Sequence, residues 1–505
     1  MSINDICIVI AILSYLSLTI FIGFKFSKNN SNTKEFYLGG RKMGPLVTAM
    51  SAEASDMSSW LLMGLPGVAY LSGVCDAAWT AIGLGIGTWL NWLFVSRRLR
   101  RYSSNIGAIT VPDFFSKRFH DKTNVITAIS ALIIIIFFVP YTASGFAACG
   151  KLFKALFGVD YTVAMIVSAV VIVLYTIMGG FKAVCTTDLI QSIVMSIALI
   201  TVVCFGVSSA GGFGAVVDNA MSLPGYLSMN ATHNAATGSA SPYGFITIIS
   251  TMAWGLGYFG MPHILVRFMA IEDEKKLVLS RRIATVWVFI AMSVAIFIGV
   301  VGLAMSNCGA MENLSDSETV IITIANIISK YGIFASLLAG VILAGILAAT
   351  MSTADSQMLA AASGFSENIL KDFFHIKISE KQSIIVAKLT VIGIAIIGVF
   401  LARNPNSSVF QIVSFAWAGF GGAFGALVLC SLFWKRTTLA GALSGMISGG
   451  VFVFIWKFLV RPLGGVWNIY ELLPAFIVSL VVIIIVSLIT KSPDNTIIDE
   501  FEAAK

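Results

Sequence analysis

Four carboxylates interrupt long apolar runs of this sequence. Glu53 and Asp56 lie together in the run 43–71, whereas Asp188 and Asp355 lie in two later runs. A charged side chain at the centre of a bilayer costs about 2.5–3.5 kcal/mol even on a lenient insertion scale. Residues that carry such a cost point to function, and the chemistry they favour is the binding of a cation.

Small polar residues surround these carboxylates in two runs. Residues 51–60 read SAEASDMSSW, and residues 349–356 read ATMSTADS. Because Ser and Asp side chains compete for backbone hydrogen bonds, the first run predicts a helix that unwinds and exposes carbonyl oxygens. Ser352 and Ser356 are four residues apart and share one helix face. Hard cations prefer oxygen ligands, so the two runs predict a cation cage, although isolated Ser and Thr more often join helices.

A third segment, 254–262, reads WGLGYFGMP. It contains the pattern GxGxxG, but the strand and helix that must flank a dinucleotide-binding loop are absent. Three glycines and a proline within an apolar run instead predict a second interrupted helix. Trp254 and Tyr258, four residues apart, are predicted to project from one face, where both can contact an organic cation.

The composition indicates which elements hold these residues. Of 505 residues, 57% are hydrophobic and 11% are charged, whereas soluble proteins average about 25% charged residues. We therefore predict an all-α polytopic membrane protein of about thirteen transmembrane helices, each needing about 20 apolar residues. The run 319–360 is interpreted as one long, tilted helix. The predicted spans are 4–25, 43–71, 74–96, 125–150, 159–180, 186–208, 242–265, 281–305, 319–360, 383–402, 409–433, 438–459 and 467–490.

Basic residues indicate the orientation. The first run has no Lys or Arg before Lys25 and no cleavage signal, so we expect a retained helix rather than a signal peptide. Lys25, Lys28 and Lys34 place its end in the cytoplasm. The N-terminus is then outside the cell and the C-terminus is cytoplasmic. Of the 32 Lys and Arg, 26 are predicted on the inside, and Arg267 is counted among them as a residue of a cytoplasmic loop. The charge thus reports topology and not a nucleic-acid partner, and the scattered cysteines and histidines predict no metal centre.

The two interrupted helices are five spans apart. This spacing predicts two five-helix repeats of opposite orientation, about 43–208 and about 242–433, with a peripheral helix at 4–25 and two extra helices at 438–490. Interrupted helices at corresponding positions of inverted repeats are typical of secondary transporters with a site near the bilayer midplane. The predicted fold class is therefore a 5+5 inverted-repeat core of the LeuT type.

Several stretches also carry a resemblance to a known family: YLGGR (37–41), ASDMS (54–58), WLLMGLPG (60–67), WGLGYFG (254–260), PHI (262–264), MST (351–353) and FAWAGFG (415–421). Over nearly its whole length the sequence resembles the sodium/solute symporter family, and most strongly its proline-transporting members. The resemblance implies sodium-coupled uptake of L-proline, or a similar small zwitterion, by alternating access. Sodium would be the coupling ion, and no cofactor is expected.

The resemblance also implies roles for individual residues. A sodium site would use carbonyls and hydroxyls of Ala54, Met57, Ala349, Ser352 and Thr353. Substrate-binding positions would be Ser58, Tyr141, Trp254, Tyr258 and Pro262. Asp56 would support sodium dependence, and Asp188, Asp355 and Ser356 would stand where some relatives form a second sodium site. Arg41 would be a coupling residue, although a topological role explains it equally well.

Other functions stay open from the residues alone. The solute could be another amino acid, a vitamin or a carboxylate, and the coupling ion could be a proton. An intramembrane enzyme is disfavoured because no HExxH or GxSxG motif occurs, and a membrane sensor because no cytosolic module follows. A channel needs no paired interrupted helices. We therefore expect a transporter and not an enzyme.

Overall fold

Helices form almost the entire fold, because in lipid every backbone polar group must find its partner within the protein. A computed structural model describes residues 2–27 and 33–505, and Lys28 lies outside them. In chain order, the α-helices are α1 (Ile3–Ser27), α2 (Thr33–Leu38), α3 (Pro45–Asp56), α4 (Leu65–Ser72), α5 (Val74–Leu90), α6 (Ser96–Asn105), α7 (Val111–Arg118), α8 (Val125–Phe157), α9 (Tyr161–Ser209), α10 (Phe213–Ser222), α11 (Phe245–Met252), α12 (Pro262–Ala270), α13 (Leu277–Asn307), α14 (Val320–Ile328), α15 (Ile333–Ser363), α16 (Glu380–Leu401), α17 (Val409–Phe420), α18 (Ala426–Phe433), α19 (Leu439–Ile455), α20 (Leu472–Ile489) and α21 (Asn495–Ala503).

Shorter elements connect or interrupt these helices. The π-helical segments are Trp60–Gly64, Asn91–Val95, Gly364–Phe373, Gly421–Gly425 and Trp456–Val460. The 3₁₀-helical segments are Gly39–Arg41, Ala253–Gly260, Glu274–Lys276, Ser317–Thr319, Ser329–Tyr331, Arg461–Leu463 and Gly465–Trp467. Strands β1 (Ala231–Asn234) and β2 (Ser239–Pro242) form an antiparallel hairpin between α10 and α11.

Among the described residues, 10 helices are long and apolar enough to cross a membrane. One of them is α9, which kinks at Gly180 (φ 63°, ψ −175°). Gly180 is the last residue of the predicted span 159–180, and the predicted span 186–208 forms the rest of the same helix. Two shorter apolar helices, Trp60–Ser72 and Phe245–Gly260, belong to the interrupted segments. The predicted all-α polytopic class is confirmed, whereas the number of thirteen crossings stays a prediction.

Both predicted helix interruptions are present. The helix α3 ends at Asp56, and Met57 departs from helical geometry (φ −76°, ψ 67°). The second interruption follows α11, where a 3₁₀-helix leads to extended Met261 (φ −79°, ψ 107°) before α12 begins. This 3₁₀ segment packs so closely on α5 that a Cβ at Gly87 would lie 2.3 Å from the carbonyl oxygen of Gly255. Only glycine fits there.

One predicted span is wrong. The run 319–360 is not a single tilted helix, because Gly332 (φ 103°) separates α14 from α15. A left-handed φ of this kind is strained for other residues. The long α15 packs against α9, α1 and α8, and α3 packs against α9 and α15. The first interruption is thereby held beside the polar face of α15.

Candidate functional site

The end of α3 frees a backbone carbonyl. In a continuous α-helix the amide of Ser58 would bond to the carbonyl of Ala54, but it bonds to the carbonyl of Asp56 at 2.8 Å. The carbonyl of Ala54 instead accepts a hydrogen bond from the Ser352 hydroxyl of α15, at 2.7 Å. The unwound segment and α15 therefore meet through oxygen atoms.

Four of the five predicted sodium-binding residues form one connected oxygen group. Besides the contact between Ser352 and Ala54, the carbonyl of Ala349 accepts from the hydroxyls of Ser352 (3.1 Å) and Thr353 (3.2 Å). Oxygens this close can contact one cation, since hard cations such as Ca²⁺ lie about 2.3–2.6 Å from their ligands. The fifth residue, Met57, lies in the break itself. The sodium-binding role of all five stays a prediction.

Asp56 connects the break to two predicted substrate residues. Its carboxylate oxygen Oδ2 accepts a hydrogen bond from the hydroxyl of Tyr258. Its backbone carbonyl accepts from Trp60 Nε1 at 3.0 Å and from the Tyr141 hydroxyl at 3.4 Å. The side chain is fully buried, and its Oδ1 has no hydrogen-bond partner among the described residues. One acceptor of this buried carboxyl group thus stays open to a ligand.

Trp254 and Tyr258 point to different partners. The Trp254 ring stacks on Tyr470 at 5.3 Å and lies 5.3 Å from the ring of Phe410, whereas Tyr258 reaches Asp56. Their segment is a 3₁₀-helix of three residues per turn, in which positions four apart do not align. The prediction of one shared α-helical face is therefore wrong, although both rings contact Trp417, at 6.3 and 5.1 Å.

Two further predicted substrate residues, Ser58 and Tyr141, line a small closed cavity together with Thr353. Its volume of about 10 Å³ is the space of roughly one water molecule. An amino acid does not fit, so solute binding requires this cavity to widen. Pro262, also buried, is the first residue of α12.

Two large cavities lie near the two ends of α8. The first, of about 810 Å³, reaches Asn124 at the start of the helix and is called the Asn124 cavity. The second, of about 1080 Å³, reaches Lys151 and is called the Lys151 cavity. These two positions on α8 are roughly 40 Å apart at 1.5 Å per residue. Tyr141 and the small closed cavity lie between them.

The Lys151 cavity contains a buried ion pair. Lys151 Nζ lies 2.6 Å from an Oε atom of Glu318 and 3.0 Å from a carboxylate oxygen of Asp316. Glu318 also accepts from the amides of Val409 (3.2 Å) and Phe410 (3.3 Å) at the start of α17. The ion pair therefore joins α8, α17 and the connection before α14 on this side of the closed cavity.

The residues of the possible second sodium site surround a guanidinium group. Arg267, expected in a cytoplasmic loop, is instead 2% exposed within α12. Its Nη2 donates to Asp188 Oδ2 (3.1 Å) and to the Ser356 hydroxyl (2.6 Å). Asp355 accepts from the Tyr175 hydroxyl, and from Ser356 at 3.1 Å. A count of loop charges does not distinguish Arg267 from solvated basic residues, although a lone arginine in the apolar run 261–271 is the signal that points to it.

The remaining carboxylate, Glu53, is held by α5 and the segment after it. Its Oε1 accepts from Trp92 Nε1 at 2.8 Å and from the Thr88 hydroxyl at 3.1 Å. The side chain is 1% exposed, and Oε2 has no hydrogen-bond partner in the described part of the chain. Glu53 thus contacts α5, the helix that packs on the second interruption, and the segment that follows it.

Arg41 ties several chain segments together. Its guanidinium donates to the carbonyls of Met269 (2.5 Å), Ala108 (2.6 Å) and Ser103 (3.0 Å). Burial, and then the charge of Arg100, lower the pKa of Arg41 to about 10, so the group stays charged at neutral pH. These bonds link the end of α12 to the connection after α6, which a freely solvated cation would not do. Its coupling role stays a prediction.

Known proteins resemble this chain in sequence and in fold. The sequence is 40% identical over 491 residues to a sodium/proline symporter of Staphylococcus aureus, covering 96% of this chain and 93% of the relative. The fold matches a Na⁺-coupled sialic acid symporter solved in a substrate-bound outward-open state, with a TM-score of 0.78, 18% identity and coverage of 98% and 99%. It also matches Mhp1, a nucleobase-cation-symport-1 family transporter solved in a closed conformation, with a TM-score of 0.57, 14% identity and coverage of 93% and 98%.

The helical architecture and these folds agree with the predicted LeuT-type class. A sequence model of the sodium:solute symporter family matches residues 36–449, which include both interrupted helices and the oxygen group of α15. This chain is a multi-pass membrane protein that belongs to the sodium:solute symporter family.

Proposed function

We propose that this protein carries L-proline, or a similar small zwitterion, into the cell together with sodium. Proline is suggested by the name of the relative that shares 40% of its residues with nearly the whole chain. Sodium coupling is suggested by the family and by the oxygen group at the end of α3. The proposal describes a transporter and not an enzyme.

The observation that carries sodium coupling is the contact between Ala54 and Ser352. The carbonyl of Ala54 is free only because α3 ends at Asp56, and the hydroxyl reaches it from α15 at 2.7 Å. A cation bound between these oxygens would hold the unwound segment against α15. Because the same segment carries Asp56, Ser58 and the link to Tyr258, sodium binding would order the solute pocket. By linkage, the solute would tighten sodium binding equally.

A zwitterion matches the charges at the two interruptions. The N-terminus of α12, which begins at Pro262, carries the positive end of a helix dipole, and the C-terminus of α3 carries a negative end. The open Oδ1 of Asp56 adds negative charge at the second of these ends. An amino acid placed between them would direct its carboxylate to α12 and its amine to α3, with Tyr258 and Tyr141 beside it.

The proposed location is the cell membrane, with the N-terminus outside and the C-terminus in the cytoplasm. Removing Arg267 from the loop charges leaves 25 of the 32 basic residues on the predicted inside, so the bias persists. The Asn124 cavity then faces the cytoplasm and the Lys151 cavity faces outward. The repeats proposed at 43–208 and 242–433 would supply the two bodies whose relative motion opens one cavity at a time to the solute.

Uptake into proteoliposomes tests this function. Purified protein should accumulate labelled L-proline when sodium is present outside and potassium inside, and should stop when the sodium gradient is collapsed. A panel of unlabelled amino acids, vitamins and carboxylates then defines the solute by competition. Accumulation driven equally by a proton gradient without sodium, or absence of competition by proline, would refute the proposal.

A further inference from the structure

Arg267 is a buried cation with donors aimed at three neighbouring helices. Its Nε donates to the Ser51 hydroxyl of α3 at 2.8 Å. Its Nη2 donates to Ser356 of α15 at 2.6 Å and to Asp188 of α9 at 3.1 Å. Its Nη1 donates to the carbonyl of His263, one turn earlier in α12, at 2.6 Å. The guanidinium thus occupies a pocket formed by two hydroxyls and a carboxylate.

Two buried carboxylates, those of Asp188 and Asp355, lie beside this pocket, and one of their oxygens lacks a hydrogen-bond partner among the described residues. Asp188 is fully buried, and its Oδ1 has no hydrogen-bond partner among the residues described. Asp355 is fully buried as well and shares the Ser356 hydroxyl, at 3.1 Å. Buried carboxylates are costly unless a cation stands beside them. Two hydroxyls and an open carboxylate oxygen are also the ligands that a hard cation prefers.

Two successive hydrogen bonds connect this pocket to the oxygen atoms of the proposed sodium site. The Ser356 hydroxyl donates to the carbonyl of Ser352 at 2.8 Å, and the Ser352 hydroxyl donates to the carbonyl of Ala54 at 2.7 Å. Ser356, which Arg267 contacts from α12, is therefore one helical turn along α15 from Ser352 of the proposed sodium site. At that separation two positive charges influence each other strongly, because buried pairs are poorly screened.

We propose that Arg267 is a tethered cation that fills a cation-binding position formed by Asp188, Ser51 and Ser356. The tethered charge leaves the oxygens of Ala54 and Ser352 as the place for one free sodium ion per cycle. When the charge is removed, the vacated position accepts a second free sodium ion. This inference rests on the proposed sodium-coupled function and assigns Arg267 as a positioning residue of that site.

A purely structural brace makes a different prediction. If Arg267 only holds α12 against its neighbours, Arg267→Gln lowers the stability of the protein but leaves the Hill coefficient for sodium unchanged. If Arg267 is a tethered cation, the same substitution raises the Hill coefficient for sodium from about one towards about two. Arg267→Lys is the matched control, because it disturbs the same hydrogen bonds but keeps the charge.

The experiment uses the full-length protein in detergent and in proteoliposomes. Sodium chloride is titrated against choline chloride at constant ionic strength, and both the thermal unfolding midpoint and L-proline uptake are recorded. We expect a Hill coefficient near that of the wild type for R267K and a higher one for R267Q. An R267Q protein that is stabilised by sodium with the wild-type Hill coefficient would overturn the inference. Absence of sodium stabilisation in the wild type would instead refute the proposed function.

A charge-balanced pair keeps the inference testable if R267Q does not fold. Asp188→Asn leaves the guanidinium without its carboxylate beside the sodium site, so sodium affinity should fall by about tenfold or more. Adding Arg267→Gln removes the excess charge, and the double variant should recover most of the lost affinity. A double variant that binds sodium no better than the Asp188→Asn protein would show that the charge of Arg267 does not act on this site.

Discussion

Replacing Ser352 by alanine is the sharpest test of the proposed sodium site. The substitution removes the hydroxyl that joins α15 to the freed carbonyl of Ala54 at 2.7 Å and changes little else, because alanine suits a helix. A contact between a charged group and a neutral hydrogen-bonding group contributes about 1.5–3 kcal/mol. The dissociation constant for sodium should therefore rise by roughly 10- to 150-fold, at about 1.4 kcal/mol per factor of ten.

Two assays measure this change. Sodium raises the unfolding midpoint of a protein that binds it only when folded, so the sodium concentration needed for a given shift reports affinity. Sodium activation of labelled L-proline uptake reports the same constant under turnover. Ser336→Ala is the matched control, since Ser336 is a buried hydroxyl of the same helix that donates to the carbonyl of Ser329 at 2.7 Å. It should lose stability without losing sodium affinity.

Two results would contradict a sodium-binding role of the Ser352 hydroxyl. A Ser352→Ala protein whose sodium affinity lies within about threefold of the wild type, well under 1 kcal/mol, would remove this hydroxyl from the site. The same conclusion follows if Ser336→Ala weakens sodium binding by an equal factor. In either case the contact between α3 and α15 would be structural.

Three further predictions concern the surroundings of this site. Asp56→Asn removes the buried charge at the helix break and should greatly weaken the sodium dependence of proline uptake, while the protein still inserts into the membrane. Sodium activation of uptake equal to that of the wild type would contradict this role of Asp56. Trp254→Ala opens the aromatic cluster and should lower proline affinity more than sodium affinity, and an unaltered proline competition curve would remove Trp254 from the solute path. Gly257→Ala places a Cβ 1.9 Å from Nε1 of Trp417 and should lower the unfolding midpoint by several degrees, whereas Gly214→Ala, with no atom within 4 Å of its Cβ, should not.

The interruptions of the helices were predictable from local chemistry. Ser and Asp side chains around Asp56, and the glycines and proline of 254–262, each compete with regular helical hydrogen bonding, and the helices end at these places. The side-chain directions were not predictable in the same way. Trp254 and Tyr258 diverge because their segment is a 3₁₀-helix, and a four-residue spacing aligns side chains only in an α-helix.

Arg267 shows a second limit of linear reasoning. A count of basic residues by loop assumes that a cation near the end of an apolar run is solvated. Arg267 in α12 instead turns inward and binds Asp188, which lies on α9, a helix distant in the sequence. The separation of α14 from α15 at Gly332 was missed for a related reason. Hydropathy averaged over the run 319–360 does not register the single Lys330, whereas α14 ends at Ile328 and a 3₁₀ turn, Ser329–Tyr331, leads to Gly332.

The two large cavities have an electrical consequence. An electrolyte that fills the Asn124 and Lys151 cavities conducts, so the transmembrane voltage falls mainly across the closed section around Tyr141. An ion that passes only this section experiences most of the voltage, which is worth about 2.3 kcal/mol per elementary charge for each 100 mV. Narrowing the sealed section therefore concentrates the electric field, and a short movement of one sodium ion can be coupled to nearly the full membrane potential.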